Sequence, residues 1–228
     1  MPSNDILSLN FNQDAECFVC GFTDGFRIFN ANPLKQVQRE DLDGAIGFAE
    51  MLFRCNYLAL VGGGARPAFP PNKVIIWDCS LRKSVIELEM PQQVLAVRLR
   101  RDRIVVVLQC RIYVYSFSDI PVQLFEFETP ENPLRLCALS TSVENSYLAF
   151  PSSSLVGSIE LLDLSQKKGN PRQIKAHSHS VYVLAFNVSG TIVATASVKG
   201  TLIRLFEVAK GTMLKEFRRG SNRPKYLV

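Results

Sequence analysis

Two adjacent arginines, Arg218 and Arg219, are the residues of this sequence best suited to chemistry with an anion. A guanidinium group presents its N–H donors in a planar fork and forms two parallel hydrogen bonds to one phosphate or carboxylate. The pair ends a run of residues typical of a β-strand, in which neighbouring side chains point to opposite sides. It therefore predicts two separate contacts, one on each side of the strand, or else two solvated surface charges.

Other patterns that carry chemistry are weak. Cys17 and Cys20 have C-x-x-C spacing, but no second cysteine or histidine pair follows at a zinc-site distance, and residues three apart in a strand face opposite ways. The glycine run at 62–64 lacks the Gly-Lys-Ser/Thr sequence of a nucleotide-binding loop. No Ser-His-Asp set and no suggestive pair of carboxylates is present. We therefore expect no catalytic site, no metal and no other cofactor.

Short strands recur along the chain and must position the arginine pair. A strand with an aromatic or apolar ending occurs five times at a mean spacing of about 44 residues, which is the size of one propeller blade. The five instances are 25–30, 74–78, 111–117, 158–164 and 201–208. The last unit is the clearest, with strands at 181–186, 191–197, 201–208 and 212–218 separated by turn residues. The sequence predicts an all-β fold, a β-propeller with about five WD40-like, four-stranded blades.

Composition limits the classes of function. The chain has 228 residues, 47% of them apolar, and a formal net charge of +5, which permits an anionic partner without identifying one. The basic run at 98–103 is interpreted as a solvated face. No zinc-finger or RNA-binding signature is present, so we expect no nucleic-acid partner. No apolar run is long enough to span a bilayer and no secretory signal is recognised, so we expect a cytosolic chain with six free, mostly buried cysteines.

Several stretches together resemble the PROPPINs, the seven-bladed phosphoinositide-binding propellers of autophagy. Residues 217–220 read Phe-Arg-Arg-Gly and match the family's F/L-R-R-G motif, and 194–204 resembles the strand pair that precedes it. Residues 50–64 and 99–108 resemble earlier blades. The resemblance extends from about Leu9 to Gly220 and is greatest to the animal WD-repeat branch that also binds the large autophagy lipid-transfer protein.

The resemblance implies where a lipid headgroup binds. It assigns five residues to a first pocket: His177, Ser197, Thr201, Arg204 and Arg218. Hydroxyl groups and a protonated histidine can donate hydrogen bonds to phosphate oxygens. Thr201 and Arg204 lie three apart on one strand and face opposite sides unless a bulge intervenes, so one of them is in doubt as a direct contact. Arg219 serves a second pocket, which the family completes with residues of blade six.

The resemblance also suggests a partial propeller. The family places its arginine motif at the end of blade five and continues with two further blades, whereas this sequence ends at Val228. We interpret 1–220 as blades one to five of an expected seven and 221–228 as a tail outside the propeller. The second lipid pocket is then expected to be absent or incomplete.

Two functions remain open. The first is a membrane-recruitment adaptor, cytoplasmic and held peripherally on phagophore or endosomal membranes, which binds phosphatidylinositol 3-phosphate and 3,5-bisphosphate and recruits autophagy proteins to forming autophagosomes. The second is a protein-only scaffold that binds the autophagy lipid-transfer protein without tight membrane binding. Asn12 and Asp14, in a turn of blade one, resemble part of the family's protein-partner surface, although such residues also occupy turns with no binding role.

Overall fold

The computed structural model describes residues 5–166 and 169–222, and these residues form strands joined by turns, bends and irregular segments. The strands make five four-stranded antiparallel sheets, and in each sheet the spatial order of the strands follows the sequence. The predicted all-β fold of about five blades is therefore confirmed. Within the described residues no helix is long and apolar enough to cross a bilayer.

The first compact unit, Met1–Glu126, holds blades one and two and all of blade three except the last two residues of its fourth strand. Blade one consists of β1 (Ile6–Phe11), β2 (Cys17–Phe22), β3 (Gly25–Asn30) and β4 (Lys35–Asp41). Blade two consists of β5 (Ile46–Met51), β6 (Tyr57–Gly62), β7 (Lys73–Asp78) and β8 (Lys83–Glu89). Blade three consists of β9 (Ala96–Arg100), β10 (Arg103–Val107), β11 (Arg111–Ser116) and β12 (Gln123–Glu128).

The second compact unit, Phe127–Val228, holds blades four and five. Blade four consists of β13 (Ala138–Leu139), β14 (Tyr147–Pro151), β15 (Ser158–Asp163) and β16 (Arg172–Lys175). Blade five consists of β17 (Val181–Phe186), β18 (Ile192–Ser197), β19 (Leu202–Glu207) and β20 (Met213–Arg218). The strands of blade five lie within one residue of their predicted bounds. Residues 167–168, and residues 223–228 of the predicted tail, lie outside the described residues.

The inner strands of blade two are apolar on both faces because β5 contacts blade one on one side and blade three on the other. In blade two, β7 carries four consecutive apolar residues, Val74 to Trp77, all of them buried. Trp77 contacts the ring of Phe26 on blade one, edge to face, with the ring centroids 6.4 Å apart. The outermost strand β8 instead alternates exposed and half-buried residues, as expected where only one face is covered.

The glycine run after β6 allows two backbone segments to approach closely. A Cβ atom built on Gly47 would lie 2.8 Å from the Cα atom of Gly63, and one built on Gly62 would overlap the carbonyl oxygen of Phe69. Only glycine leaves room for such a contact. β6 ends at Gly62 and β7 begins only at Lys73, and the glycines in this part of the chain serve packing.

The cysteines depart in part from expectation. All six are free, but only Cys17, Cys20 and Cys137 are buried. Cys55 and Cys110 are exposed because they lie in bends between strands. No group of His, Cys, Asp and Glu side chains in the described ranges could hold a metal ion.

The interpretation of the basic run at 98–103 as a solvated face is wrong for three of its four arginines, which include Arg103, whose side chain is only 20% exposed and pairs with Asp102. Arg98 Nη1 lies 3.2 Å from Oε2 of the buried Glu50 on β5, so it links blades two and three. Arg100 is itself buried, with its Nε atom 2.9 Å from Asp102. Arg101 occupies the hairpin turn and is exposed, as predicted.

Candidate anion-binding site on blade five

Strand pairing places most of the predicted site residues on one face of blade five. Arg204 on β19 stands opposite Thr195 on β18 and opposite Glu216 on β20. Directly opposite residues project to the same face, and so do residues two apart on one strand, which adds Ser197 and Arg218. We call this surface the site face; it consists of Thr195, Ser197, Arg204, Glu216 and Arg218.

The site face changes from apolar to polar along the strands. At one end Val193 and Phe206 are buried in a core cluster that also contains Ile159 and Ile174 of blade four. At the other end the same strands carry the hydroxyl and charged side chains of the site face. Blade four therefore anchors the strands that present the polar end.

His177 approaches the site face from the link between β16 and β17. Its backbone N–H donates to the carbonyl oxygen of Gly157 at 2.8 Å, and its Nε2 atom lies 2.9 Å from Thr195 Oγ1. Burial of the imidazole, followed by the charge of Arg204, lowers the pKa of His177 below its ordinary value of 6.5. The structure thus holds His177 mainly neutral at pH 7, against the expectation of a protonated donor.

Arg204 bridges two parts of the site. Its Nε donates to Glu216 Oε2 at 2.8 Å, and its Nη1 donates to the carbonyl oxygen of Ala176 at 2.5 Å. Because Ala176 directly precedes His177, the guanidinium group ties β19 and β20 to the segment that carries the histidine.

Arg218 is the exposed cation of the site face. None of the ion pairs found among the described residues involves it, whereas Arg204 is paired with Glu216. Ser197 on the same face is buried, with its backbone in the turn that leads to β19. An anion can therefore bind the Arg218 guanidinium group without first displacing a protein carboxylate.

Arg219 and Thr201 lie on the other side of the strand pair. The backbone N–H of Arg219 donates to the carbonyl oxygen of Thr201 at 2.9 Å, one position beyond the pairing of Leu202 with Arg218. Arg219 Nε donates to the carbonyl oxygen of Gly200 at 2.8 Å. The two arginines thus face opposite sides, as predicted. Thr201, assigned to the first pocket by resemblance, shares a side with Arg219 because it stands an odd number of residues from Arg204.

Thr195 and Glu216 belong to the site face but are missing from the sequence-based set. Thr195 precedes Ser197 by two residues, and Glu216 precedes Arg218 by two residues, so the alternation of a strand could have indicated both. A resemblance carries over only the residues of the family's own motif, and neither residue belongs to that set.

The blade-one turn holds the two residues predicted to contact a protein partner. Asn12 is buried: its Oδ1 accepts from the N–H of Cys17 at 3.0 Å, and its Nδ2 donates to the carbonyl oxygen of Phe53 at 3.2 Å. It therefore shapes the turn and links it to blade two, which is a correction to its predicted place on an exposed surface. Asp14 is exposed, as a partner contact requires.

Asp14 lines a cavity of about 1010 Å³ within the first unit. Its aromatic wall includes Tyr57 and Phe117, packed edge to face with the ring centroids 5.9 Å apart. Arg101 lies over the ring of Phe53, with 5.5 Å between the guanidinium carbon and the centroid. The cavity combines apolar walls with charges of both signs, a combination suited to a peptide segment.

Comparison with known proteins gives a consistent result. The family model described as PROPPIN matches residues 6–227. SVP1-like protein 2 of Debaryomyces hansenii is 40% identical, with 96% of this chain and 59% of the relative covered. SVP1-like protein 2 of Saccharomyces cerevisiae is 39% identical, with 94% and 55% covered. The chain therefore spans somewhat more than half the length of these curated relatives.

Solved structures show the same likeness. Kluyveromyces lactis Hsv2 superposes with a TM-score of 0.86 at 28% identity, covering 97% of this chain and 66% of that one. A complex of KlAtg21 with the coiled coil of AgAtg16 superposes with a TM-score of 0.77 at 27% identity, covering 96% of this chain and 72% of that one.

Proposed function

Because the chain belongs to the PROPPIN family, we propose that it binds phosphoinositide headgroups through blade five and recruits autophagy proteins to the membrane that carries them. The family is known for phosphoinositide binding and autophagy. The proposed lipids are phosphatidylinositol 3-phosphate and 3,5-bisphosphate on phagophore or endosomal membranes, to which the protein attaches peripherally.

The position of Arg218 carries the proposal. It is exposed, lies on the same face as the hydroxyl group of Ser197, and has no ion-pair partner among the described residues. A guanidinium group in this state can form two parallel hydrogen bonds to one phosphate. A lysine could not reproduce this planar geometry, since an ammonium group is a point charge.

The other predicted site residues take different roles in this proposal. Ser197 is the hydroxyl neighbour of the phosphate, while His177 shapes the pocket wall through its contact with Thr195. Arg219 and Thr201 are assigned to a second contact on the opposite side of the strand pair. There the Arg219 guanidinium group must exchange bonds to the carbonyl oxygens of Gly200 and Asn222 for a phosphate.

Vesicle co-sedimentation tests the lipid assignment. Vesicles of phosphatidylcholine with and without phosphatidylinositol 3-phosphate are mixed with the full chain and with an Arg218→Ala variant. We expect binding that depends on the phosphoinositide and falls about tenfold in the variant, the scale of one lost charge-assisted hydrogen bond. Arg111→Ala, which removes an exposed arginine of blade three, is the matched control and should bind like wild type. Equal binding by wild type and Arg218→Ala contradicts the assignment.

The cavity beside Asp14 favours a second function, that of a protein scaffold. The related KlAtg21 forms a complex with a coiled coil of AgAtg16, so a protein of this fold binds a protein partner. In this chain the proposed partner is the autophagy lipid-transfer protein of the family. We expect Asp14→Ala and Tyr57→Ala to weaken capture of that partner in a pull-down while leaving vesicle binding unchanged. Loss of vesicle binding in the same variants, or unchanged capture, contradicts the scaffold assignment.

A further inference from the structure

A carboxylate lies among the basic and hydroxyl side chains of the site face. Glu216 stands opposite Arg204 on the neighbouring strand and two residues before Arg218. Its Oε2 accepts a hydrogen bond from Arg204 Nε at 2.8 Å, yet the Glu216 side chain remains 39% exposed. A ligand held by Arg218 on this face therefore meets the Glu216 carboxylate as well.

Two sides of the Arg204 guanidinium group are already bonded. Nε donates to Glu216, and Nη1 donates to the carbonyl oxygen of Ala176. Arg204 is thus a positioning residue, because it fixes the Glu216 carboxylate on one side and the His177 segment on the other. Its own charge is largely balanced by Glu216, which leaves Arg218 as the cation for the ligand.

We propose that Glu216 determines which phosphoinositide headgroup the site face accepts, an inference that rests on the proposed function. A carboxylate accepts a hydrogen bond from an inositol hydroxyl group but repels a phosphate, since both are anions. The site face therefore favours a headgroup whose phosphate lies against Arg218 while a free hydroxyl group faces Glu216. A second phosphate at the ring position that faces Glu216 weakens binding.

Isothermal titration calorimetry with soluble dibutanoyl lipids tests this selectivity on the full chain. The ligands are phosphatidylinositol 3-phosphate, 3,4-bisphosphate and 3,5-bisphosphate. Glu216→Gln removes the charge but keeps the size of the side chain and one acceptor oxygen for Arg204. We expect the affinity for at least one bisphosphate to rise about fivefold to tenfold relative to that for the monophosphate, the scale of one partly screened charge contact.

Glu207→Gln is the matched control on the same blade. Glu207 stands opposite Ile192, which places its carboxylate on the face away from the site, and its Oε1 lies 3.1 Å from Lys210 Nζ. This variant makes the same change in net charge and should leave the ratio of affinities as in wild type. Each bisphosphate affinity is divided by the monophosphate affinity of the same variant. If neither of these two ratios changes more in Glu216→Gln than in Glu207→Gln, the inference is overturned.

Two further variants separate the possible failures. Glu216→Asp keeps the charge and should keep the wild-type preference; an equal change in Glu216→Asp and Glu216→Gln would mean that shape rather than charge matters, and would overturn the inference. Arg218→Ala tests the proposed function itself. If Arg218→Ala leaves every affinity unchanged, the proposed function is wrong. If Arg218→Ala loses binding but Glu216→Gln leaves both affinity ratios unchanged, only the role of Glu216 in selectivity is wrong.

Discussion

Glu50 offers a quantitative test of the packing between blades two and three. It is buried on β5, and its Oε2 lies 3.2 Å from Nη1 of Arg98 on β9. Burial disfavours the charged carboxylate and raises the pKa of Glu50 from 4.5 to about 7, although the positive charge of Arg98 opposes this rise. A Glu50→Gln substitution keeps the shape of the side chain and removes its titration.

The sign of the effect follows from proton binding. The folded chain holds the Glu50 proton more tightly than the unfolded chain, so this contribution to stability is complete below pH 4.5 and is lost as the pH rises through about 7. A tenfold difference in proton affinity is worth about 1.4 kcal/mol, which makes the full effect about 3 kcal/mol. The unfolding free energy of Glu50→Gln minus that of wild type should therefore rise by up to about 3 kcal/mol between pH 4.5 and pH 8.

Urea unfolding at several pH values measures this difference, with the fluorescence of Trp77, the single tryptophan, as the signal. A difference in packing between the two side chains adds a constant offset, so the slope with pH reports on the titration of Glu50, which includes its charge interaction with Arg98. Glu16→Gln is the control because the Glu16 side chain is 62% exposed in a surface ion pair with Arg54. Its unfolding free energy should stay within about 1 kcal/mol of the wild-type value at each pH. A difference for Glu50→Gln that is flat, or that falls as the pH rises, refutes the reasoning.

Three other measurements test separate parts of the structure. Gln13→Ala removes a side chain that bonds to three backbone groups of blades two and three, and should lower the free energy of unfolding by about 2 to 4 kcal/mol in urea, whereas a loss below about 1 kcal/mol would count against this link. Gly47→Ala adds a methyl group that would collide with Gly63, and it should lower the free energy of unfolding by about 2 kcal/mol or more. Gly220→Ala places its methyl group in open space and should change the free energy of unfolding by less than about 0.5 kcal/mol. Equal effects of the two substitutions would argue against the close approach. An NMR titration should place the midpoint of His177 below 6.5, and a midpoint at or above 6.5 would contradict its buried position.

The sequence was sufficient for the strands and for the opposite directions of the two arginines. Both follow from local patterns: runs of β-branched and aromatic residues between turn residues, and the two-residue period of a strand. Burial of polar side chains was not predictable in the same way. Asn12 and Arg98 both look like surface residues, but the side chain of each also bonds to a group about 40 or more positions away along the chain. Only the packing of one blade on the next brings those groups together.

The composition of the site face depends on one further feature that residue spacing does not reveal. The pairing of β19 with β20 shifts between Leu205 and Phe206, where Leu214 is left without a partner. Without this shift, the strand that pairs Phe206 with Met213 would pair Arg204 with Lys215. A shift of one residue moves every later side chain of β20 to the other face of the sheet. Arg219 rather than Arg218 would then share the face of Arg204, and Glu216 would leave it. The bulge at Leu214 is therefore what decides which of two identical neighbouring residues belongs to the site face and whether a carboxylate stands beside it.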